Sequence, residues 1–166
     1  MNVATMTRQY LTFRLGEETF AVDVTKAREI LDFSSPTRVP QTPAYMLGVI
    51  NLRGSVVPVV DLRLKFGMTA TAMTRDTCII VLEIIADGEA LIVGAVADSV
   101  QEVLELDADR IEPPPRIGTR LNTEFIRGMG NHEDRFLMIL DIDRVFSAEE
   151  ISLVQGVGEE SAALSA

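Results

Sequence analysis

Two parts of this chain resemble each other, and this internal repeat limits the possible folds more than any other feature. Residues of one block recur 80 positions later, with related side chains in the same order. The matched pairs are Tyr45 and Phe125, Gly48 and Gly128, Asn51 and Asn131, Asp61 and Asp141, and Leu62 and Ile142. Upstream, Glu29-Ile30-Leu31 matches Glu102-Val103-Leu104 at an offset of 73. An ordered series over two blocks indicates two copies of one structural unit.

Each copy is rich in short β-type segments separated by turn signals. Apolar segments flank turn residues at Gly16, Gly54 and Gly88, which predicts hairpins over residues 11–24, 48–61 and 77–96. Further strands are predicted at 100–106 and 136–142. A unit of about five short strands closes more naturally into a small barrel than into an open sheet. We therefore expect a mainly all-β fold of two small β-barrels that share a core.

Two segments depart from this pattern. Val24, Ala27 and Leu31 are spaced by three and four residues, which predicts a helical turn over residues 25–31. Ser147-Ala148-Glu149-Glu150 is a capping box, which predicts a short C-terminal helix. The small and acidic residues from Gly156 onward predict a frayed tail.

Composition excludes several classes of function. The chain has 166 residues and a formal net charge of -10, without a Lys/Arg cluster, so no nucleic-acid partner is expected. The longest apolar run, residues 78–86 with Glu83 inside it, is about half the roughly 20 residues of a spanning helix. The first residues show no export signal, and a single cysteine cannot form an internal disulfide. We expect an acidic globular protein of the cytoplasm, with no membrane insertion.

The residue types that most often carry catalysis or hold metals do not form a recognisable set. His132 is the single histidine and Cys78 the single cysteine, which is too few for the common zinc sites. We interpret His132 as a solvated turn residue and Cys78 as a small buried apolar residue. Asp61 and Asp141 could act as paired acids, but their repeated position favours a turn-capping role that occurs twice. No enzyme activity, metal or cofactor is therefore predicted, and a binding module is favoured.

Two features are compatible with protein binding. Arg53 lies in a predicted tight turn beside Gly54. It is either an exposed turn residue or an anchor for a partner, because arginine is enriched at interface hot spots. Ala27, Ile30 and Leu31 are either core residues, which periodicity alone favours, or the lining of a groove between the barrels that takes a partner helix.

The motifs taken together resemble the CheW family of chemotaxis coupling proteins. The resemblance covers roughly residues 9–153, and its most specific part is Asn51-Leu52-Arg53-Gly54. The other segments that carry it lie at residues 9–13, 15–18, 20–24, 29–31, 40–43, 59–63, 98, 103–104, 111–115 and 125–142.

The resemblance implies two SH3-like five-stranded β-barrels that share a core. It implies one domain over residues 9–150, with related barrels at about 9–75 and 76–146 whose ends interlock, and a C-terminal helix and tail at 147–166. It also implies a non-enzymatic adaptor that joins the cytoplasmic tips of chemoreceptors, which are helical hairpins, to the regulatory domain of the histidine kinase CheA.

By position, the resemblance also implies the binding residues. Those for the receptor are Ala27, Glu29, Ile30, Gly48 and Arg53. Ala27 is a departure, because a larger aliphatic residue is common there, and the receptor contact at this position is expected to be smaller. The segment from Glu112 to Ile117 corresponds to a region of kinase contacts.

Two other functions are open on the sequence. The same fold would serve a non-flagellar chemosensory pathway, and only co-purifying partners would distinguish the two roles. A small-molecule-binding or hydrolytic barrel would use Asp61, Asp141 or His132. That hypothesis requires these side chains to converge beside a deep pocket.

Overall fold

The computed structural model of the protein describes residues 7–69, 73–86, 88–113 and 125–146. Its strands are β1 (Thr7–Leu15), β2 (Glu18–Asp23), β3 (Ala27–Asp32), β4 (Met46–Leu52), β5 (Ser55–Asp61), β6 (Cys78–Ala86), β7 (Glu89–Ala97), β8 (Ser99–Asp107), β9 (Ile111–Glu112), β10 (Ile126–His132) and β11 (Arg135–Leu140). Two four-residue helices, α1 (Leu62–Lys65) and α2 (Ile142–Val145), follow β5 and β11. The helix predicted from Ser147 and the tail after it lie outside the described residues.

The strands form two sheets, which we call barrel A and barrel B. Barrel A has the order β8-β1-β2-β11-β10-β9, and barrel B has the order β3-β6-β7-β5-β4. The predicted fold class, mainly β with two SH3-like subdomains, is confirmed. One strand is added, because the two-residue β9 makes barrel A six-stranded.

The barrels do not coincide with the two sequence copies. The first copy contributes β1 and β2 to barrel A and β3 to β5 to barrel B. The second copy does the reverse, with β6 and β7 in barrel B and β8 to β11 in barrel A. The copies therefore exchange their N-terminal hairpins, and the chain crosses between barrels after β2 and after β7.

The repeat read from the sequence is present in the hydrogen bonds. The hairpins β4–β5 and β10–β11 have a register shift at the same place, beside Gly48 and Gly128. The amide of Asp61 donates to the Tyr45 carbonyl at 2.7 Å, and that of Asp141 donates to the Phe125 carbonyl at 2.9 Å. In each barrel the last strand of the hairpin pairs in parallel with a strand of the other copy, β5 with β7 and β11 with β2.

The helical turn predicted over residues 25–31 is wrong for most of its length. A 3-10 turn covers only Val24–Lys26, and β3 begins at Ala27. Asp23 caps the turn by accepting hydrogen bonds from the amide and hydroxyl of Thr25, at 3.0 and 2.8 Å. β3 then pairs with β6, with a register shift between Ala27 and Glu29. The shift interrupts the alternation of side chains, which explains why the sequence showed a spacing other than two.

The largest group of buried side chains lies between the barrels and is built by both copies. It includes Phe13 and Phe20 of the first hairpin, together with Phe66 after α1. Their rings pack in series, with centroids 6.1 and 5.7 Å apart, and Phe66 continues to Phe125 at 5.9 Å. Smaller clusters fill each barrel. The core between the barrels is thus shared, as predicted.

A buried ion cluster holds the crossing between β7 and β8. Arg63 of α1 is 1% exposed and donates to both carboxylate oxygens of Asp61, at 2.9 and 2.8 Å. Its third bond, at 2.7 Å, goes to Asp98 at the crossing. Asp98 also accepts the Gly16 amide of the β1–β2 turn at 2.6 Å. This cluster ties α1, the crossing and the hairpin of barrel A together.

A second clamp holds the crossing between β2 and β3. Lys26 donates to both carboxylate oxygens of Asp143 in α2, at 3.0 and 3.2 Å. Asp143 also accepts the Ile85 amide near the end of β6 at 2.8 Å. Arg63 and Asp143 are 80 positions apart, so the two clamps are equivalent in place and opposite in charge.

The shared core predicts that the barrels unfold together. Phe66→Ala removes a ring that contacts both copies, and we expect it to lower the free energy of unfolding by about 3–5 kcal/mol. Urea unfolding followed by circular dichroism and by tyrosine fluorescence should give a single coincident transition for both proteins. Two separated transitions in the Phe66→Ala variant would show that the barrels are independent.

Candidate functional site

Glu29 and Arg53, assigned to one binding surface from the sequence, are in contact. Arg53 Nη1 lies 2.6 Å from Glu29 Oε1, and Nη2 lies 2.9 Å from Oε2. Glu29 is on β3 and Arg53 is in the β4–β5 turn, at the two edge strands of barrel B. The bidentate pair therefore links the edges where this sheet closes, and it fixes the direction of the guanidinium.

The turn that carries Arg53 has an unusual backbone for an arginine. Arg53 has φ 51° and Gly54 has φ 87°, which is the left-handed geometry of a tight hairpin turn. Asn51 stabilises this turn, because its Oδ1 accepts the Gly54 amide at 2.9 Å. A side chain held at positive φ costs conformational energy, and the equivalent turn residue Glu133 adopts the same φ of 51°, so this backbone belongs to the repeated hairpin turn.

The Glu29 carboxylate remains ionised under ordinary conditions. The hydrogen bonds from Arg53, together with its charge, hold the pKa of Glu29 below its usual range, against the smaller opposing effect of burial. A lowered pKa means that the ion pair is fully present at neutral pH and is lost only as the pH falls through that lowered value. The surface is thus a fixed pair of opposite charges.

Ile30 is exposed, which corrects the interpretation, favoured by periodicity, that it belongs to the core. Its side chain is 47% exposed, on the face of β3 opposite to Glu29. Arg28, at the register shift between Ala27 and Glu29, forms an ion pair of 2.5 Å with Glu83 of β6. The edge strand β3 therefore carries an exposed aliphatic side chain and takes part in two ion pairs.

Ala27 and Leu31 are partly buried, in agreement with the interpretation that they pack in the core. Ala27 packs against the core between the barrels. Leu31 packs against Val59 and Ile79 inside barrel B. Ala27 thus lies at the margin of the candidate surface rather than at its centre.

Gly48 is buried, and the structure gives it a packing function. Its φ is 146°, and a Cβ there would lie 2.1 Å from the carbonyl oxygen of Thr37. Thr37 exchanges two hydrogen bonds of 2.9 Å with Val49. The missing side chain lets the segment after β3 pair with β4 and close barrel B. A direct contact of Gly48 with a receptor stays a prediction.

The second copy does not reproduce the ion pair. The residue equivalent to Arg53 is Glu133, which has the same φ of 51°. The residue equivalent to Glu29 is Glu102, so two acidic side chains replace the pair. The apolar residue is retained, because Val103 is 49% exposed. Only the first copy therefore combines an exposed aliphatic residue with a fixed guanidinium.

The residues assigned to kinase binding lie elsewhere. Glu112 is exposed on β9, which pairs with β10 at the edge of barrel A. It is not brought together with Glu29 and Arg53 on barrel B. Ile117 lies outside the described residues.

The side chains proposed for a hydrolytic barrel do not converge. Asp61 is buried and occupied by Arg63. His132 is at the tip of the β10–β11 hairpin, 3.8 Å from Glu133. Asp141 follows the other end of that hairpin, roughly 20 Å away at about 3.3 Å per residue. Among the described residues, no group of His, Cys, Asp and Glu could hold a metal ion.

Cys78 is buried, as predicted. Burial raises the pKa of its thiol, and the negative charge of Asp32 adds to this effect. A thiol that remains protonated is a poor nucleophile. Cys78 therefore acts as a small apolar residue of the core.

Comparison with known proteins agrees with this architecture. A family model described as CheW-like domain matches residues 9–150. The chain belongs to the CheW family. It is 38% identical to the chemotaxis protein CheW of Klebsiella aerogenes over 155 residues, which are 93% of this chain and 91% of that protein. The crystal structure of the scaffolding protein TtCheW from Thermoanaerobacter tengcongensis matches with a TM-score of 0.78 and 31% identity, covering 90% of this chain and 94% of that chain.

The CheW-family chain is also 28% identical to Protein FrzA of Myxococcus xanthus, over 76% of this chain and 78% of that protein. The resemblance inferred from the sequence is thus confirmed, and the chain is a chemotaxis scaffold protein of the CheW type. In the part of the chain that the structure describes, no helix has the length and hydropathy to span a membrane.

Sequence reasoning missed three contributions to this CheW-family surface. Asn51 could have been recognised, since an Asn three residues before a turn glycine is a known capping pattern. The ion pair between Arg28 and Glu83 could not, because it depends on the register between β3 and β6. The contact of Thr37 with Gly48 likewise depends on barrel closure.

The position of Gly48 predicts a stability defect rather than a pure binding defect. Gly48→Ala places a methyl group against backbone, and we expect a loss of about 3 kcal/mol in the free energy of unfolding. Gly54→Ala is the matched control, because it also has positive φ but no atom within 4 Å of the added Cβ. Urea denaturation should show the larger loss for Gly48→Ala. Equal and small losses would indicate that Gly48 has no packing role.

Proposed function

We propose that this protein is an adaptor that joins the helical tips of chemoreceptors to the regulatory domain of the histidine kinase CheA. The observation that carries the proposal is that the edge strand β3 presents both the fixed Glu29–Arg53 pair and the exposed Ile30. The membership of the CheW family supports it, since the similar proteins carry the names chemotaxis protein and scaffolding protein.

The chemistry of the surface fits a helical partner. An amphipathic helix presents an apolar stripe flanked by charged residues. Ile30 offers an apolar contact for such a stripe, and the ion pairs that Arg28 and Glu29 form at the same edge strand offer both signs of charge. Because these pairs are exposed, they define orientation and specificity more than total affinity.

An adaptor must bind two partners at the same time, and the architecture supports this. Glu29 and Arg53 lie on barrel B, whereas Glu112 lies on the edge strand β9 of barrel A. The receptor surface and the kinase surface proposed here therefore occupy different barrels. Ile117 completes the proposed kinase segment, outside the described residues.

The two copies supply a matched pair of variants for the receptor surface. Arg53→Ala should weaken binding to a receptor-tip helical hairpin by about tenfold, because an interface arginine is removed. Glu133→Ala changes the equivalent turn residue and should leave receptor binding unchanged. Binding is measured by surface plasmon resonance, and the melting temperature of each variant is measured alongside.

Binding to the CheA regulatory domain, measured in parallel, distinguishes loss of the receptor surface from loss of the fold. Arg53→Ala should still bind the CheA regulatory domain with wild-type affinity. Glu112→Arg should bind the receptor hairpin with wild-type affinity and the CheA regulatory domain more weakly. Unchanged receptor binding by Arg53→Ala would contradict the proposed surface. If Arg53→Ala has a lowered melting temperature and binds neither partner, Arg53 has a structural role.

A CheW-type module in a non-flagellar chemosensory pathway would use the same surfaces. The similarity to Protein FrzA shows that the domain also occurs in a protein without the name chemotaxis protein. Affinity purification from the native cells, with mass spectrometry of the captured receptors and kinase, distinguishes the two pathways.

A further inference from the structure

A cavity of about 350 Å³ opens at one end of barrel A. Its floor is formed by Leu106, Ile111 and Ile139, and its polar walls are Arg8, Tyr10 and Arg127. Register places them together, because Arg8 is opposite Leu106 across β1 and β8, and Tyr10 is two residues further along the same face. The cavity is thus apolar inside and basic at its opening.

The same place in barrel B is filled with aliphatic side chains. Arg127 corresponds to Leu47 at the offset of 80, and Leu47 packs inside barrel B. In barrel A, Tyr10 lies opposite Leu104 and Asp23 on the neighbouring strands. Ile79 has the same place in barrel B, opposite Leu31 and Val96. Barrel A therefore has arginine, tyrosine and aspartate at positions where barrel B has leucine, isoleucine and valine. Packing alone does not require these polar residues, since barrel B closes without them.

The hydroxyl of Tyr10 has no hydrogen-bond partner in the described part of the chain, although the side chain is 2% exposed. Buried tyrosine hydroxyls normally have a partner. Tyr10 lines the cavity together with Arg8 and Arg127, and the charges of Arg127, Arg8 and Asp23 act on its hydroxyl. Burial raises the pKa of Tyr10, so the hydroxyl is protonated at neutral pH and can donate a hydrogen bond.

The balance of charge at the opening selects the ligand. Arg8 Nη1 lies 3.4 Å from Asp23 Oδ2, so one carboxylate offsets one guanidinium. In the part of the chain that the structure describes, Arg127 forms no ion pair. The opening therefore carries one excess positive charge on a chain whose net charge is -10. A monoanion balances it better than a phosphate dianion.

We propose that this cavity binds a carboxylate attached to an apolar body. Arg127 and Arg8 would hold the carboxylate, the Tyr10 hydroxyl would donate to it, and Leu106, Ile111 and Ile139 would contact the apolar part. Arginine and carboxylate form strong charge-assisted hydrogen bonds, and a volume of about 350 Å³ is within the range of small-ligand sites. The proposal does not depend on the adaptor function, because the cavity lies in barrel A and away from Arg53.

The test uses 3-phenylpropionate as the probe and 3-phenylpropionamide as its uncharged match. Isothermal titration calorimetry gives the affinity, and methyl NMR shifts locate the probe. We expect saturable binding of the carboxylate, at least about tenfold tighter than the amide, with shifts at the methyl groups of Leu106 and Ile139. Equal binding of acid and amide, absence of saturable binding, or shifts elsewhere would overturn the proposal.

Three variants assign the roles of the side chains. Arg127→Gln should lower the affinity by about tenfold and remove the preference for the acid. Tyr10→Phe should lower the affinity by a few-fold without lowering the melting temperature, because its hydroxyl has no partner to lose. Arg135→Gln is the control, because Arg135 is on the same hairpin but does not line the cavity. Wild-type affinity in Arg127→Gln would contradict the proposal.

The carboxylate has two sources, a dissolved acid or the C-terminus of another protein. An acetylated tripeptide that ends in phenylalanine, with a free or an amidated C-terminus, separates them. Tighter binding of the free-acid peptide than of 3-phenylpropionate identifies a protein C-terminus, and the reverse identifies a dissolved acid. Both results support the carboxylate site, whereas failure of both acids to exceed their amides overturns it.

Discussion

The exchange of hairpins between the two sequence copies is the constraint on which the rest of the structure depends. Barrel A needs β1 and β2 from the first copy, and barrel B needs β6 and β7 from the second. Neither copy can complete a barrel alone, so the stability of each barrel depends on the other barrel. The aromatic series from Phe13 to Phe125 then fills the space between them. Two barrels that are built from both copies and share a core in this way suit the proposed adaptor, which would hold two partners in a fixed relation.

Exchange of similar hairpins creates a risk of wrong pairing, and the charges of the two clamps oppose it. Arg63 meets Asp98 at one crossing, and Asp143 meets Lys26 at the other. If the helices were interchanged, Arg63 would face Lys26 and Asp143 would face Asp98. Like charges at short range are repulsive, most strongly where water is excluded. The two copies thus resemble each other in backbone but carry opposite charges where α1 and α2 contact the crossings.

The sequence was sufficient to predict the repeat, the hairpins, the shared core and the family, because these follow from local patterns and ordered spacing. It was misleading at residues 25–31, where the register shift between Ala27 and Glu29 imitates a helical spacing. Periodicity alone favoured the core for Ile30, because it cannot show that β3 is an edge strand, whereas the family resemblance placed Ile30 at the receptor surface. Glu29 and Arg53 were both identified, but their contact joins opposite edges of one sheet. Contacts of that kind require the topology, as does the buried position of Gly48.

The two proposed binding sites lie where the copies differ rather than where they agree. The shared positions, such as Gly48 with Gly128 and Asp61 with Asp141, close barrels and end strands. At the hairpin tip, by contrast, the first copy has Arg53 where the second has Glu133, and of these two only Arg53 forms a bidentate ion pair, with Glu29. The interiors of the barrels differ as well. Barrel A has polar groups around a cavity, and leucine and valine side chains fill the same place in barrel B. A duplicated scaffold keeps its packing while each copy changes a few surface or cavity residues, and those few changes give one chain distinct faces.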